Sequence, residues 1–501
     1  MSRTIEDVID TLKNAKLHNR KCTLLIGSGC SVSANIPTAS GFVEIIKKRW
    51  RSAYDRADEK TYPKCMALLA EGERRDLIAS YVDNAVINWA HIGIAQLMKN
   101  GYVDRVLTTN FDPLVVRACA LAGEFPAVYD FAASQHFKPE DIPDKAIFYL
   151  HGQRTGFKLM NTDDECKEHS ERLAPVFNDV GQGRVWLVVG YSGDCDPVFD
   201  HLANISRFDH NLYWIGHKDS EPAEHVRTKL LIAGKYAFHV SGFDADSFFV
   251  TLAQKLDCFP PDFIAKPFTH LDACLNLIAD FPIPGKDTTL NIMKKTRQNI
   301  QAAIKEYEAD PGNAEVASIS ELESLMVAGN YDEVIRRGKA FNETYILEEV
   351  VETISWAHIM KGIVLSNQAE TKSGEEADKL FADAYQEYEA ALKIKPDKHE
   401  ALYNWGYALL SQAKTKFGEE ADKLFNLAVE KYLEAESILP GEGSYDLACL
   451  SALRGDYVGC RKWLEKSREL GSLPDRNHIK ADTDLDAVRN KKWFKEFLAT
   501  L

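Results

Sequence analysis

The chain has 501 residues, 45% of them hydrophobic and 27% charged, and carries a formal net charge of −15. That length calls for two or three domains, and the composition is ordinary for a globular protein. The acidic balance excludes nonspecific binding to nucleic acid or an anionic membrane through the whole surface. No apolar run approaches the ~20 residues that span a bilayer. The acidic, helix-patterned start, Met1-Ser-Arg-Thr-Ile-Glu-Asp, does not read as a secretory signal, so a cytoplasmic location is expected. The ten cysteines are scattered without a Cys-x-x-Cys pair. They read as reduced, mostly buried side chains and supply no zinc ligand set.

In chain order, residues 4–18 form an amphipathic helix with Ile5, Val8, Ile9 and Leu12 on one stripe. Thr23–Ile26 is an apolar strand that runs into the turn Gly27-Ser-Gly-Cys-Ser31, expected to open a helix. Gly27 and Gly29 allow positive φ and close backbone approach. Ser28, Ser31 and Ser33, with backbone N–H groups, suit a phosphate. A helix begins after Pro37-Thr38, and residues 62–99 are a helical insertion before the second strand, Val103–Thr108. That strand ends in Thr109-Asn110-Phe111-Asp112, and Asp112-Pro113 caps a helix to about Ala122. Residues 125–145, with Pro126, Pro139 and Pro143, read as irregular.

The strand Ala146–Leu150 leads to His151-Gly152, and a charged helix covers about 163–180. Arg184–Val189 is the next strand, ending in Gly190-Tyr191-Ser192. Asp196-Pro197 starts a helix to about Ile205, which accounts for Asp196 as a cap without a catalytic role. Strands at Leu212–Ile215 and Ala237–Val240 and helices at Glu224–Ile232 and Asp244–Leu256 complete the alternation. The pattern predicts an α/β, Rossmann-like doubly wound parallel sheet, whose ligand site lies at the carboxyl ends of the strands.

Cys258-Phe-Pro-Pro marks the boundary, and no strand is expected beyond it. The segment Gly374-Glu-Glu-Ala-Asp-Lys-Leu-Phe recurs from Gly418, 44 residues later. Small and large residues alternate as in tetratricopeptide helix pairs, whose usual period is about 34, and the excess matches the polar stretch around each Gly-Glu-Glu. The expected organisation is residues 1–257 as the α/β domain, 258–315 as a helical linker and 316–501 as a helical repeat domain.

Four signals follow one another at successive strand ends: Gly27-Ser-Gly-Cys-Ser with Ile36-Pro37, Thr109-Asn110-Phe111-Asp112, His151-Gly152, and Gly190-Tyr191-Ser192. In this order they resemble the NAD-binding domain of the sirtuin (Sir2) family, over about residues 15–255. The resemblance implies that Gly27, Ser28, Gly29, Cys30 and Ser31 hold the NAD pyrophosphate, flanked by Ile36 and Pro37. It implies that Asn110, next to Thr109, orients the nicotinamide ribose and a water, that Asp112 holds the carboxamide, and that His151 is the general base. Gly190, Tyr191 and Ser192 would line the ribose side, and Gly216 would approach the adenosine ribose. Cys30 and Cys195 lie near the crevice and read as packing rather than as nucleophiles.

Two features depart from sirtuin protein deacylases. The four-cysteine zinc module is missing, since residues 153–183 contain only Cys166, and Thr38-Ala-Ser-Gly-Phe stands where the family has Asp-Phe-Arg. No zinc is therefore expected, and the groove for an acyl-lysine peptide is in doubt. Zinc-free domains of this kind, fused to helical regions, resemble those of bacterial antiphage defence proteins, which imply NAD hydrolysis to nicotinamide and ADP-ribose. The expectation is an NAD hydrolase with NAD as substrate, a homo-oligomer whose tetratricopeptide-like array meets a protein trigger. Two alternatives stay open: a module that binds NAD or an ADP-ribose derivative as a signal, and an NAD-dependent protein deacylase or ADP-ribosyltransferase.

Overall fold

Side chains of consecutive strand residues point to opposite faces, and here both faces are apolar. In the first strand Cys22, Leu24 and Ile26 enter one core, while Leu25 enters the other. In a later strand Val185, Leu187 and Val189 alternate with Trp186 and Val188 in the same way. Such strands are stable only with helices on both sides of the sheet. The computed structural model describes residues 3–132, 142–156, 158–181, 183–194, 196–218, 220–279, 292–309, 311–342 and 347–499. It divides into two compact units, Met1–Gly329 and Asn330–Leu501.

The first unit begins with α1 (Ile5–Leu17), β1 (Cys22–Ile26) and a 3-10 turn (Ser28–Ala34). Then come α2 (Ala39–Arg49), α3 (Arg51–Arg56), α4 (Tyr62–Ala67), α5 (Glu71–Val82) and α6 (Trp89–Lys99). β2 (Arg105–Thr108), α7 (Leu114–Leu121), β3 (Ala127–Asp130), β4 (Ala146–Tyr149), α8 (Asp163–Gly181) and β5 (Val185–Val189) follow. The alternation ends with α9 (Pro197–Asn204), β6 (Leu212–His217), α10 (Glu224–Lys229), β7 (Ala237–Phe243) and α11 (Ala245–Lys255). Helices α12 (Asp262–Ala265), α13 (Pro267–Leu275), α14 (Ile292–Ala309) and α15 (Pro311–Val327) complete the unit.

All seven strands are parallel, in the order β3-β4-β2-β1-β5-β6-β7. Helices α1, α6, α7 and α11 cover one face, and α8, α9 and α10 the other. β1 is the centre, with β2 paired on one side and β5 on the other, so the chain reverses its winding there. The carboxyl end of β1 is therefore the place for a crevice. Helices α2 to α5 form a separate core with Leu114 and Leu159.

Two local expectations change. Residues 127–130, read as irregular, form the edge strand β3. It is short and half buried, so it lacks the uniform apolar run that marks the inner strands; Pro139 lies outside the described residues. The glycine turn opens not an α-helix but the 3-10 turn, which ends at Asn35 with φ 65°. The division between units falls at Gly329, after α15, which lies against α11 through a bond from Thr251 Oγ1 to the Ala328 carbonyl, 3.1 Å.

The second unit is all-α among the described residues: α16 (Tyr331–Asn342), α17 (Glu348–Glu370), α18 (Glu375–Ile394), α19 (His399–Ala413), α20 (Gly418–Ile438), α21 (Ser444–Leu453) and α22 (Tyr457–Glu469), then α23 (Arg476–Ala481), α24 (Asp486–Arg489) and α25 (Lys492–Ala499). The repeat is one of packing. A Cβ on Gly362 would come within 2.6 Å of the Tyr388 ring, and one on Gly406 within 3.1 Å of the Tyr432 ring. Each ring fills the notch left by its glycine, and the two pairs are separated by the 44-residue period.

Candidate functional site

A cavity of about 470 Å³ opens at the carboxyl ends of β1, β2, β4 and β5. From the sequence set it is lined by Ser28, Ser31, Ile36, Pro37, Thr109, Asn110, Asp112, His151, Gly190, Tyr191 and Ser192. Parallel strands side by side deliver these residues together, because all but Ile36 and Pro37, which follow the 3-10 turn, stand within five residues of a strand end.

A hydrogen-bonded group forms the sheet-side wall. Ser31 Oγ donates to Asp112 Oδ2 at 2.9 Å, and Asp112 Oδ1 accepts from the Leu114 amide at 3.1 Å, where α7 starts one residue later than expected, with Pro113 and not Asp112 at its N-cap. Asn110 Nδ2 donates to the Gly27 carbonyl at 3.1 Å and to Ser31 Oγ at 3.2 Å. A carbonyl can only accept, so the Asn110 amide is oriented by Gly27, and its Oδ1 is the atom left for a ligand or a water. His91, fully buried on α6, brings Nε2 to 3.4 Å from Ser31 Oγ, and burial pushes its pKa down. A neutral ring there adds no charge beside Asp112.

The glycine turn is locked onto the loop after β5. Gly29 N–H donates to the Gly190 carbonyl at 2.9 Å and Gly27 N–H to the Val189 carbonyl at 3.1 Å. Gly190 sits at φ 64°, and a Cβ there would lie 2.6 Å from the Cys30 nitrogen. These two amides therefore serve the fold, and the Ser31 and Ser33 hydroxyls are likewise engaged, by Asp112 and Asp246. Cys30 points into the core, where Sγ donates to the Val189 carbonyl and burial pushes the thiol well up. Gly27, Gly29, Cys30 and Gly216 are not among the cavity-lining residues. Gly216 instead packs under the His239 ring, 2.3 Å from where its Cβ would stand. Cys195 lies outside the described residues.

His151 follows β4 and brings Nε2 to 3.2 Å from Asp196 Oδ1. Asp196 caps α9 through the Val198 amide at 2.9 Å, as its place before Pro197 suggested, but it also lines the cavity. Burial alone would raise its pKa. The charge and hydrogen bond of His151, with the Val198 amide and the nearby Tyr191 phenol, instead hold the carboxyl below its ordinary value.

The opposite wall is helical and was not foreseen. Phe42 and Val43 of α2, Tyr62 of α4, and Ile78 and Val82 of α5 line it, with Met160 to Asp163 and Cys166. Tyr62 donates to Asn161 Oδ1 at 2.8 Å, and the Met160 amide donates to the His151 carbonyl at 3.0 Å. The cavity-lining lysine, Lys60, is engaged by the carbonyls of Tyr54 and Ala57 at 2.6 and 2.8 Å. Cys166 is pushed up to about 12 by burial, so it is no thiolate at neutral pH. A helical insertion has no motif; its contribution was legible only as apolar helix faces.

Comparison with known proteins gives two kinds of likeness. The family model of the plant-specific mitochondrial import receptor subunit TOM20 matches residues 352–455. Solved structures similar to the N-terminal half are Sir2 homologues. A Sir2 homologue–NAD complex is 18% identical, covering 51% of this chain and 95% of its own, with a TM-score of 0.33. A mutant Sir2 homologue–ADP ribose complex is 18% identical over 50% of this chain and 96% of its own, also at 0.33. No curated protein matches.

Proposed function

We propose that the first unit hydrolyses NAD+ to nicotinamide and ADP-ribose, and that the helical unit restrains or triggers it in an antiphage defence response. The observation that carries this reading is the convergence of Asn110 and His151, from β2 and β4, on one cavity that also holds Ser28, Ser31, Asp112 and Ser192. Cleavage of the ribosyl–nicotinamide bond releases a neutral ring, so it needs little help from an acid. It needs a held water and fixed dipoles around a positive ribosyl centre. Asn110 Oδ1 orients that water, the Asp112 carboxylate contributes negative charge, and His151 takes up the proton. Water fits as acceptor better than a peptide, because residues 153–183 hold only Cys166 in place of a zinc module and Thr38-Ala-Ser-Gly-Phe stands in place of Asp-Phe-Arg. Helix pairs of the second unit suit a protein ligand or another copy of the chain. Uncontrolled NAD loss would harm the host, so such an activity calls for control.

The test is nicotinamide release from NAD+ by the full chain over a wide protein concentration range, beside Asn110→Ala and His151→Ala. Release should fall at least about a hundredfold in either variant. Full release by both variants would sink the assignment.

A further inference from the structure

Of the cavity-lining carboxylates that the reaction as written does not use, Asp196 is the one bonded to His151. Asp196 Oδ1 lies 3.2 Å from His151 Nε2. Both side chains are nearly buried, at 10% and 12% exposure. The carboxylate is fixed from its own side, since the Val198 amide donates to the same Oδ1 at 2.9 Å and α9 begins on it. The Tyr191 phenol, itself buried, lies beside it, and Cys166 of α8 is near enough to feel its charge.

We infer that Asp196 is the positioning residue of the site: it holds His151 with the proton on Nε2 and so makes Nδ1 the basic nitrogen. A carboxylate only accepts, so Nε2 must donate to it, and the tautomer follows without further assumption. This rests on the hydrolase reading. In that reaction the ribosyl C1′–N bond breaks, and its electron pair leaves on the nicotinamide nitrogen. A C1′–O bond forms from water, and the proton of that water passes to His151 Nδ1 and then to solvent. The imidazolium formed for that moment is neutralised by Asp196 on its far side. Asp196 itself need not touch NAD.

Two variants separate this role from helix capping. Asp196→Ser keeps a cap for α9 but is too short to reach the ring. Asp196→Asn keeps the length and removes the charge. Each is measured by steady-state NAD cleavage and by nitrogen-15 NMR of the histidine rings, His151 being assigned by its absence in His151→Gln. The wild type should show a proton on Nε2. Asp196→Ser should lose about a hundredfold in kcat with KM within about threefold, and its His151 should shift toward a mixture of tautomers. Asp196→Asn should lose about tenfold in kcat at unchanged KM. A folded Asp196→Ser with wild-type kcat and wild-type ring signals would overturn the inference. Should that variant not fold, unchanged kcat and signals in Asp196→Asn overturn it equally. Absence of NAD cleavage by the wild type itself would count against the hydrolase reading alone. The ring spectra then decide the pairing without turnover: a wild-type His151 whose Nε2 carries no proton would refute it.

Discussion

The two walls of the cavity are built on different principles. The sheet-side wall is polar, short-ranged in sequence around each strand end, and tied by mutual hydrogen bonds among Ser31, Asn110 and Asp112. The helical wall is mostly apolar and gathered from α2, α4, α5 and the segment before α8. Hydrogen bonds fix direction, so the first wall can aim a water or a proton acceptor. Apolar packing fixes volume, so the second wall shapes what is enclosed and keeps water out. On the proposed reading, chemistry and selectivity would sit on opposite sides of one chamber.

Substitutions on the two walls should separate these principles. The largest effect is expected for Gly190→Ala, which combines a positive φ with a Cβ 2.6 Å from the Cys30 nitrogen. Strain and overpacking together should cost about 2–5 kcal/mol in urea unfolding, with NAD cleavage lost as the turn shifts. Next is Ile78→Ala, which truncates a fully buried side chain of the helical wall. It should cost about 2–4 kcal/mol and raise KM while leaving kcat within a few fold. A drop in kcat as deep as that of Asn110→Ala would erase the division of labour between the walls. Smallest is Tyr62→Phe, which deletes the bond to Asn161 and should cost about 1 kcal/mol in the same unfolding measurement. No change there would mean that the helical wall is held by packing alone.

The same contrast decided what was legible in the sequence. Asn110, Asp112 and His151 were readable because each stands within a few residues of a strand that its own apolar run announces. The doubly wound sheet was readable for the same reason, except β3, an edge strand without that run. Asp196 was recognised as a cap because Asp-Pro is a local signal. Its bond to His151 was hidden, since it joins residues 45 positions apart. His91 gave a faint signal as a polar residue inside the apolar helix Trp89–Lys99, but what it faces depends on tertiary packing. Phe42, Tyr62 and Ile78 read only as helix faces, and nothing local says which cavity a helix face closes. Cys30 and Gly216 lie within or beside recognisable motifs, and their packing shows only in the fold: one faces the core, as its reading as a packing residue suggested, and the other packs beneath a histidine ring.

The paired glycine and tyrosine of the second unit carry a consequence for how this chain varies. Gly362 with Tyr388 and Gly406 with Tyr432 are one joint made twice, 44 residues apart. A joint that repeats at constant pitch makes the array countable. An insertion or deletion of one whole pitch adds or removes one such joint. The array can therefore lengthen or shorten by whole joints.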